Sequence, residues 1–145
     1  MGAEEIELFR DLFREVKLHR QRIAEAVACL QKDPDSVSCA DQLIYRFSKL
    51  QDTMGRKLFR ALLDAVGDWN PEMTMIDIVN RMDKLALVDP GPWKVVKDVY
   101  NEIAHHYDDD SEATRKILTE IEMLLPVFDE FLERTERFAV ERKLL

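Results

Sequence analysis

Two adjacent histidines, His105 and His106, are the residues of this chain best suited to move a proton near neutral pH. They lie in the segment YNEIAHHY (residues 100–107), directly before three aspartates at 108–110. The same position also suits a structural role, because the dipole at a helix C-terminus and neighbouring aspartates both stabilise an imidazolium. Without further information, the pattern favours this helix-ending role over catalysis.

The aspartates and His106 also offer the oxygen and nitrogen ligands that divalent cations bind. Adjacent residues on a helix point about 100° apart, so the two histidines cannot easily share one ion. A solvated turn that ends the helix is the favoured interpretation of the acidic run. We therefore expect neither a metal site nor another cofactor.

Charge limits the partners that the chain can attract. The 145 residues carry a net charge of −8, which repels phosphate backbones and argues against broad, non-specific nucleic-acid binding. Residues 68–110 hold four Lys/Arg against ten Asp/Glu, or −6, whereas residues 34–67 hold five against four, or +1. Any basic groove must therefore include side chains of residues 34–67.

The two cysteines, Cys29 and Cys39, form neither a CxxC pair nor a disulfide framework typical of secreted domains. We expect reduced, structural thiols. The N-terminal segment is charged throughout and no stretch approaches 18 apolar residues, so neither a signal peptide nor a membrane span is expected. These features predict a cytoplasmic protein that does not enter a membrane.

Apolar residues at three- and four-residue steps predict an all-α protein. With four glycines and five prolines in 145 residues, the composition also favours helices over a turn-rich β fold. The length fits one domain, residues 1–145, folded as an up-and-down bundle of about five helices. The predicted helices cover 4–31, about 38–66, about 74–85, about 93–107 and from 111 to about 138.

Breaks in the pattern mark the helix ends. Gly67 predicts a left-handed stop after the second helix, and Thr74 with Asp77 predicts a capping box at the start of the third. The sequence DPGP at 89–92 predicts a turn before the fourth helix. Pro126 predicts a bend in the last helix.

Three segments together resemble a known family. Residues 100–107 match the motif R-N-x-x-x-H-x-Y at Asn101, His105 and Tyr107. Upstream, YRFSKLQDTMG (45–55) is similar to a Y-R-F-x-x-L-Q-D-x-x-G run, and NRMDKL (80–85) is similar to N-R-L-x-K-L. These are features of the HepT-like branch of the HEPN superfamily, whose members belong to toxin–antitoxin modules. The resemblance covers about residues 40–135.

The resemblance implies a homodimer in which two motif helices form a cleft that cleaves RNA without a metal. It makes His105 the base that takes the ribose 2′-hydroxyl proton and Asn101 its hydrogen-bonding partner one helical turn away. It also implies a nucleotidyltransferase antitoxin that attaches AMP to Tyr107 and so blocks the cleft. For Tyr107, packing within the core or a dimer is an equally good interpretation.

One motif position departs from the family, because Tyr100 stands where the motif has arginine. Tyr100 falls on an apolar stripe, which favours a packing role. Loss of a charge that stabilises a transition state costs on the order of a hundredfold to a thousandfold in rate. The cations that can contact phosphate in its place are Lys97, Lys94, Arg46 and Arg56.

The sequence therefore leaves two functions open. The first is an attenuated ribonuclease of the HepT-like type, in which His105 and Asn101 are the catalytic residues. The second is a non-catalytic homodimer that binds a nucleotidyltransferase, a function that the missing arginine and the acidic segment 68–110 favour. An orphan scaffold or nucleotide-binding protein is a third, weaker alternative.

Overall fold

The structure is a computed structural model that describes residues 2–106 and 111–145. Within these residues it is all-α, as predicted, and contains no strand. The buried side chains form a single hydrophobic core to which every helix contributes. The helices are α1 (Ala3–Lys32), α2 (Val37–Thr53), a π-helical turn (Met54–Leu58), α3 (Phe59–Ala65), α4 (Met75–Lys84), α5 (Pro90–His106) and α6 (Ser111–Glu141).

The first two helices form an antiparallel hairpin. Ser36 caps α2, where its side-chain oxygen accepts a hydrogen bond from the backbone N–H of Cys39. A disulfide joins Cys29 to Cys39, with Cα atoms 6.1 Å apart. The expectation of two reduced thiols is therefore wrong for this structure. Sequence spacing did not show that the hairpin brings the two cysteines opposite each other.

The second predicted helix is continuous in the structure but contains a π-helical turn. At this turn the helix takes in one extra residue, which changes the face that the following side chains present. Gly67 then ends α3 with φ of +79°, which confirms the predicted left-handed stop. The capping box of α4 is also confirmed, since Thr74 accepts from the backbone N–H of Asp77 and its own N–H donates to the Asp77 carboxylate.

Helix α5 begins at Pro90, so the prediction that residues 89–92 form a turn outside the helix is wrong. Proline is well tolerated in the first helical turn, because the N–H that it lacks would have no partner there. Trp93, Val96 and Val99 are the buried side chains of α5. They face the core that α2 and α6 share.

Helix α6 packs antiparallel to α5. Lys116 near its start pairs with Glu102 near the end of α5, and Arg134 near its end pairs with Asp89 just before α5. Arg20 of α1 makes a two-point contact with the Asp129 carboxylate, which ties α6 to the first helix. No helix among the described residues is both long enough and apolar enough to cross a membrane.

Candidate functional site

The motif residues lie on the exposed side of α5. Asn101 and His105 are both solvent-exposed, and they share one helix face with Lys97, one turn before Asn101. Tyr100 is half-buried at the edge of the core. The side chain of His106 and residues 107–110, which include Tyr107 and the aspartate run, lie outside what the structure describes.

A pocket of about 190 Å³ opens beside Lys97, Tyr100 and Asn101, and His105 is not among the residues that line it. It brings side chains of α5 together with side chains of α2, of the π-helical turn and of the first residue of α4. The residues that line it are Gln51, Gly55, Arg56, Met75, Trp93, Lys97, Tyr100 and Asn101. Three of the predicted site residues, Lys97, Tyr100 and Asn101, are therefore neighbours in one concave surface.

Gly55 allows α5 to approach the π-helical turn closely. A Cβ atom at this position would lie 2.9 Å from Cζ2 of Trp93, which is closer than such atoms normally come. Trp93 cannot easily yield, because it is buried and its ring packs against Phe59 with centroids 5.0 Å apart. The glycine thus sets the distance between the two walls of the pocket.

Arg56 is the arginine that the π-helical turn presents to the pocket. Its Nε lies 3.0 Å from Oδ1 of Asp52 one turn earlier, and its side chain is otherwise mostly exposed. Lys97 faces the same pocket from α5. Tyr100, at the position where the motif has arginine, therefore lines one pocket with two cations from different elements.

A second pocket, of about 230 Å³, continues from the first toward the start of α5. The two share Met75, Trp93 and Lys97. The second adds Ile76, Val79, Asn80, Pro90 and Lys94. We call the two together the α4–α5 groove; within the described part of the chain, its lining includes no aspartate or glutamate.

Arg46, the other predicted phosphate contact, lies elsewhere. Its Nη1 is 3.1 Å from Nδ1 of His19, and its guanidinium lies over the ring of Tyr45. Since the arginine can only donate, His19 accepts at Nδ1 and carries its proton on Nε2, 3.4 Å from the Glu15 carboxylate. The structure therefore does not bring Arg46 together with Lys97.

His19, Arg46, Glu15 and Thr53 form a second polar cluster, and burial is the main influence on the pKa of its histidine. Desolvation lowers the pKa of His19, against the opposing pull of Glu15. The hydroxyl of Thr53 donates to Glu15 over 2.7 Å, and this hydrogen bond lowers the pKa of the carboxyl. We interpret the cluster as a structural link between α1 and α2, because a neutral, buried imidazole with both nitrogens engaged is not available to a substrate.

A charged cluster fixes the last turns of α5 against α6. Nζ of Lys116 lies 3.3 Å from Glu102 and 3.6 Å from Glu120. These carboxylates raise the pKa of Lys116, while burial and the nearby Glu102 raise the pKa of Glu120. Glu102 is next to Asn101, so the cluster helps to position the helix that carries the motif.

Sequence reasoning missed Gln51, Gly55 and Trp93 as parts of the site. A signal for the first two was present in the sequence, because they belong to the YRFSKLQDTMG run that carries the family resemblance. Trp93 gives no such signal, because an aromatic residue at helical spacing is most simply a core residue. In the described part of the chain, no cluster of three or more His, Cys, Asp or Glu side chains is arranged to hold a metal ion.

No known protein-family model matches the sequence. No curated protein matches it significantly either. The HepT-like resemblance therefore rests on the three quoted segments. Two of them contribute directly to one concave surface, since Gln51 and Gly55 line it with Tyr100 and Asn101.

Proposed function

We propose that the chain is a HepT-like protein of the HEPN type, a cytoplasmic homodimer that by descent cleaves RNA without a metal and now does so weakly. The observation that carries this proposal is the pocket that Tyr100 and Asn101 of the motif line together with Arg56 and Lys97. A cleft for RNA cleavage needs a base and a positive charge near the scissile phosphate. His105 supplies the base, and these two cations supply charge that the motif itself lacks.

In this mechanism His105 takes the proton of a ribose 2′-hydroxyl, and the oxygen attacks the adjacent phosphorus. The bond to the 5′-oxygen of the next nucleotide breaks and that oxygen takes a proton from water, leaving a 2′,3′-cyclic phosphate and a new 5′-hydroxyl. Asn101, one turn earlier on the same helix face, is the hydrogen-bonding partner of His105. Arg56 and Lys97 stabilise the charge on the phosphorane oxygens less well than an arginine at position 100 would. Lys97 is a point charge without the guanidinium fork, and Arg56 comes from another element, where it pairs with Asp52.

The proposal is tested by RNA cleavage at low salt with wild type, His105→Ala and the neighbouring control His106→Ala. We expect the first variant to lose about a hundredfold or more in rate, as removal of a general base does. The control should retain activity. If wild type and His105→Ala cleave RNA at the same rate, or if neither cleaves it, then His105 is not a catalytic residue.

A second variant, Tyr100→Arg, tests whether the missing arginine alone limits cleavage. Tyr100→Arg restores the motif within the pocket, and we expect cleavage to rise by roughly a hundredfold to a thousandfold. Circular dichroism checks that the half-buried position accepts the change. If the variant folds and cleaves no faster, the binding function described next is favoured.

The second candidate function is a non-catalytic homodimer that binds a nucleotidyltransferase. It is favoured by Ile76 of α4, an apolar side chain that lines the α4–α5 groove and is 73% exposed. A nucleotidyltransferase gene adjacent to this one would support it. Co-expression with that enzyme should add the mass of one AMP to wild type and not to Tyr107→Phe, and an unmodified wild-type chain would contradict this part of the proposal.

A further inference from the structure

The end of the α1–α2 hairpin lies outside the hydrophobic core. The last buried side chain of α1 is that of Ala26 and the first of α2 is that of Leu43, and none of residues 27–42 is buried. We call residues 27–42 the hairpin end. Its half-buried Val27 and Leu30 pack against the edge of the core. Because burial of apolar surface supplies most of the free energy of packing, non-covalent contacts hold the hairpin end only weakly.

Polar contacts add little to this attachment. The side chain of Asp35 in the turn lies 3.6 Å from Arg115 of α6, but both side chains are largely exposed, and an exposed ion pair contributes little to stability. Beside this ion pair, an open pocket of about 530 Å³ lies between the turn and the first turns of α6. The hairpin end is therefore not packed firmly against α6.

A disulfide is the one covalent crosslink within this weakly packed segment. It joins Cys29 in the last turn of α1 to Cys39 in the first turn of α2. Both residues are half-buried, and a disulfide that solvent can reach is reduced more readily than an enclosed one. The chain has two cysteines, so no third thiol can exchange with this bond. Its redox state therefore depends on an external thiol.

A dithiol reductant opens the bond in two steps. One thiolate of the reductant attacks one cysteine sulfur, the S–S bond breaks, and its electron pair remains on the other cysteine sulfur as a thiolate. The second thiolate of the reductant then attacks the reductant sulfur of the mixed disulfide and releases the second cysteine. Two electrons and two protons pass to the cysteines, and the reductant becomes a disulfide.

We infer that the Cys29–Cys39 disulfide is a reversible redox switch that controls local opening of the hairpin end. In the oxidised protein the crosslink restricts the conformations that an opened segment can adopt, and so keeps the segment closed. In the reduced protein the same segment opens, while the core beyond Ala26 and Leu43 stays folded.

The hairpin end lies at the same end of the bundle as the motif residues. Arg115 of α6 pairs with Asp35 of the turn. The next residue, Lys116, pairs with Glu102 of α5, which is next to Asn101 of the motif. Opening of the hairpin end removes the first of these two links. It does not depend on whether the chain cleaves RNA.

Amide hydrogen exchange, measured by mass spectrometry, tests the switch. It is applied to oxidised wild type, to wild type in dithiothreitol, and to Cys29→Ser/Cys39→Ser with and without dithiothreitol. Alkylation with iodoacetamide counts the free thiols in each sample. The double variant shows any effect of the reagent that does not involve the disulfide, and circular dichroism verifies its fold. The main comparison needs wild type alone, so it stands even if the variant folds poorly.

We expect dithiothreitol to reduce the disulfide without denaturant, and the hydrogen-bonded amides of the hairpin end then to exchange at least about tenfold faster. A crosslink with a sequence separation of 10 restricts an opened loop enough for a change of this size. These amides should exchange well before those of residues 44–53 in the rest of α2. Replacement of dithiothreitol by oxidised glutathione should restore slow exchange, and the double variant should match reduced wild type in every condition.

If the disulfide is reduced only after urea has unfolded the chain, or if reduction leaves exchange of the hairpin end unchanged, then the disulfide is a structural crosslink and no switch. Exchange of the hairpin end only together with residues 44–53 in the reduced protein would also overturn the inference. The disulfide would then stabilise the whole bundle without controlling a local opening.

Discussion

Buried hydroxyl groups show how much a single polar atom can matter in this bundle. Thr53 and Thr135 are both buried, at 4% and 0% exposure. The hydroxyl of Thr53 donates to Glu15, whereas that of Thr135 has no hydrogen-bond partner among the described residues. The same chemical change at the two sites should therefore have opposite consequences.

Replacing each threonine with valine keeps its branched shape and removes the hydroxyl. Thr53→Val should lower the free energy of unfolding by about 1–3 kcal/mol, because Glu15 loses its donor. Thr135→Val should leave it unchanged or raise it by about 1 kcal/mol, because an unsatisfied buried group is removed. Urea unfolding measures both. A loss for Thr135→Val as large as that for Thr53→Val would mean that its hydroxyl does have an acceptor.

His19 illustrates what sequence could not supply at this scale. Phe13, Val16 and Ile23 belong to the apolar stripe of the first helix, and all three are buried. His19 fills the gap between Val16 and Ile23, yet its burial depends on Arg46 and Glu15, which lie 27 residues later and four residues earlier. Helical periodicity contains no information about such a long-range partner.

The elements themselves were predictable where local chemistry sets them. The capping box of α4 and the left-handed Gly67 were read correctly because each depends on residues within one turn. The π-helical turn was not predictable, since apolar spacing of three or four residues continues through it. It nevertheless decides that Arg56 lines the same pocket as Tyr100 and Asn101.

The disulfide acts on the hairpin of α1 and α2. It closes a loop with a sequence separation of 10, for which chain-entropy arguments give about 2–3 kcal/mol of stabilisation. We expect the Cys29→Ser/Cys39→Ser variant to unfold at lower urea concentration under non-reducing conditions. Dithiothreitol should move wild type to the midpoint of the variant and leave the variant unchanged. Titration of two free thiols in unreduced wild type would contradict the disulfide.

For the whole molecule, buried side chains are unevenly distributed among the helices. Helix α4 buries only Ile78 and Met82 of its ten residues, whereas α2 buries six of seventeen. The bundle is thus held by its long helices, and α4 is a thinly attached wall of the α4–α5 groove. Sequence predicted the long helices well because their stripes are long, but it gave no measure of how firmly each helix packs.

Local unfolding should follow this distribution. Few buried contacts mean a low free energy of local opening, so amide hydrogens of α4 should exchange at least about tenfold faster than those in the middle of α2. Exchange measured by mass spectrometry provides the comparison within one sample, with α2 as the internal control. Equal protection of the two helices would show that α4 is as firmly attached as the core.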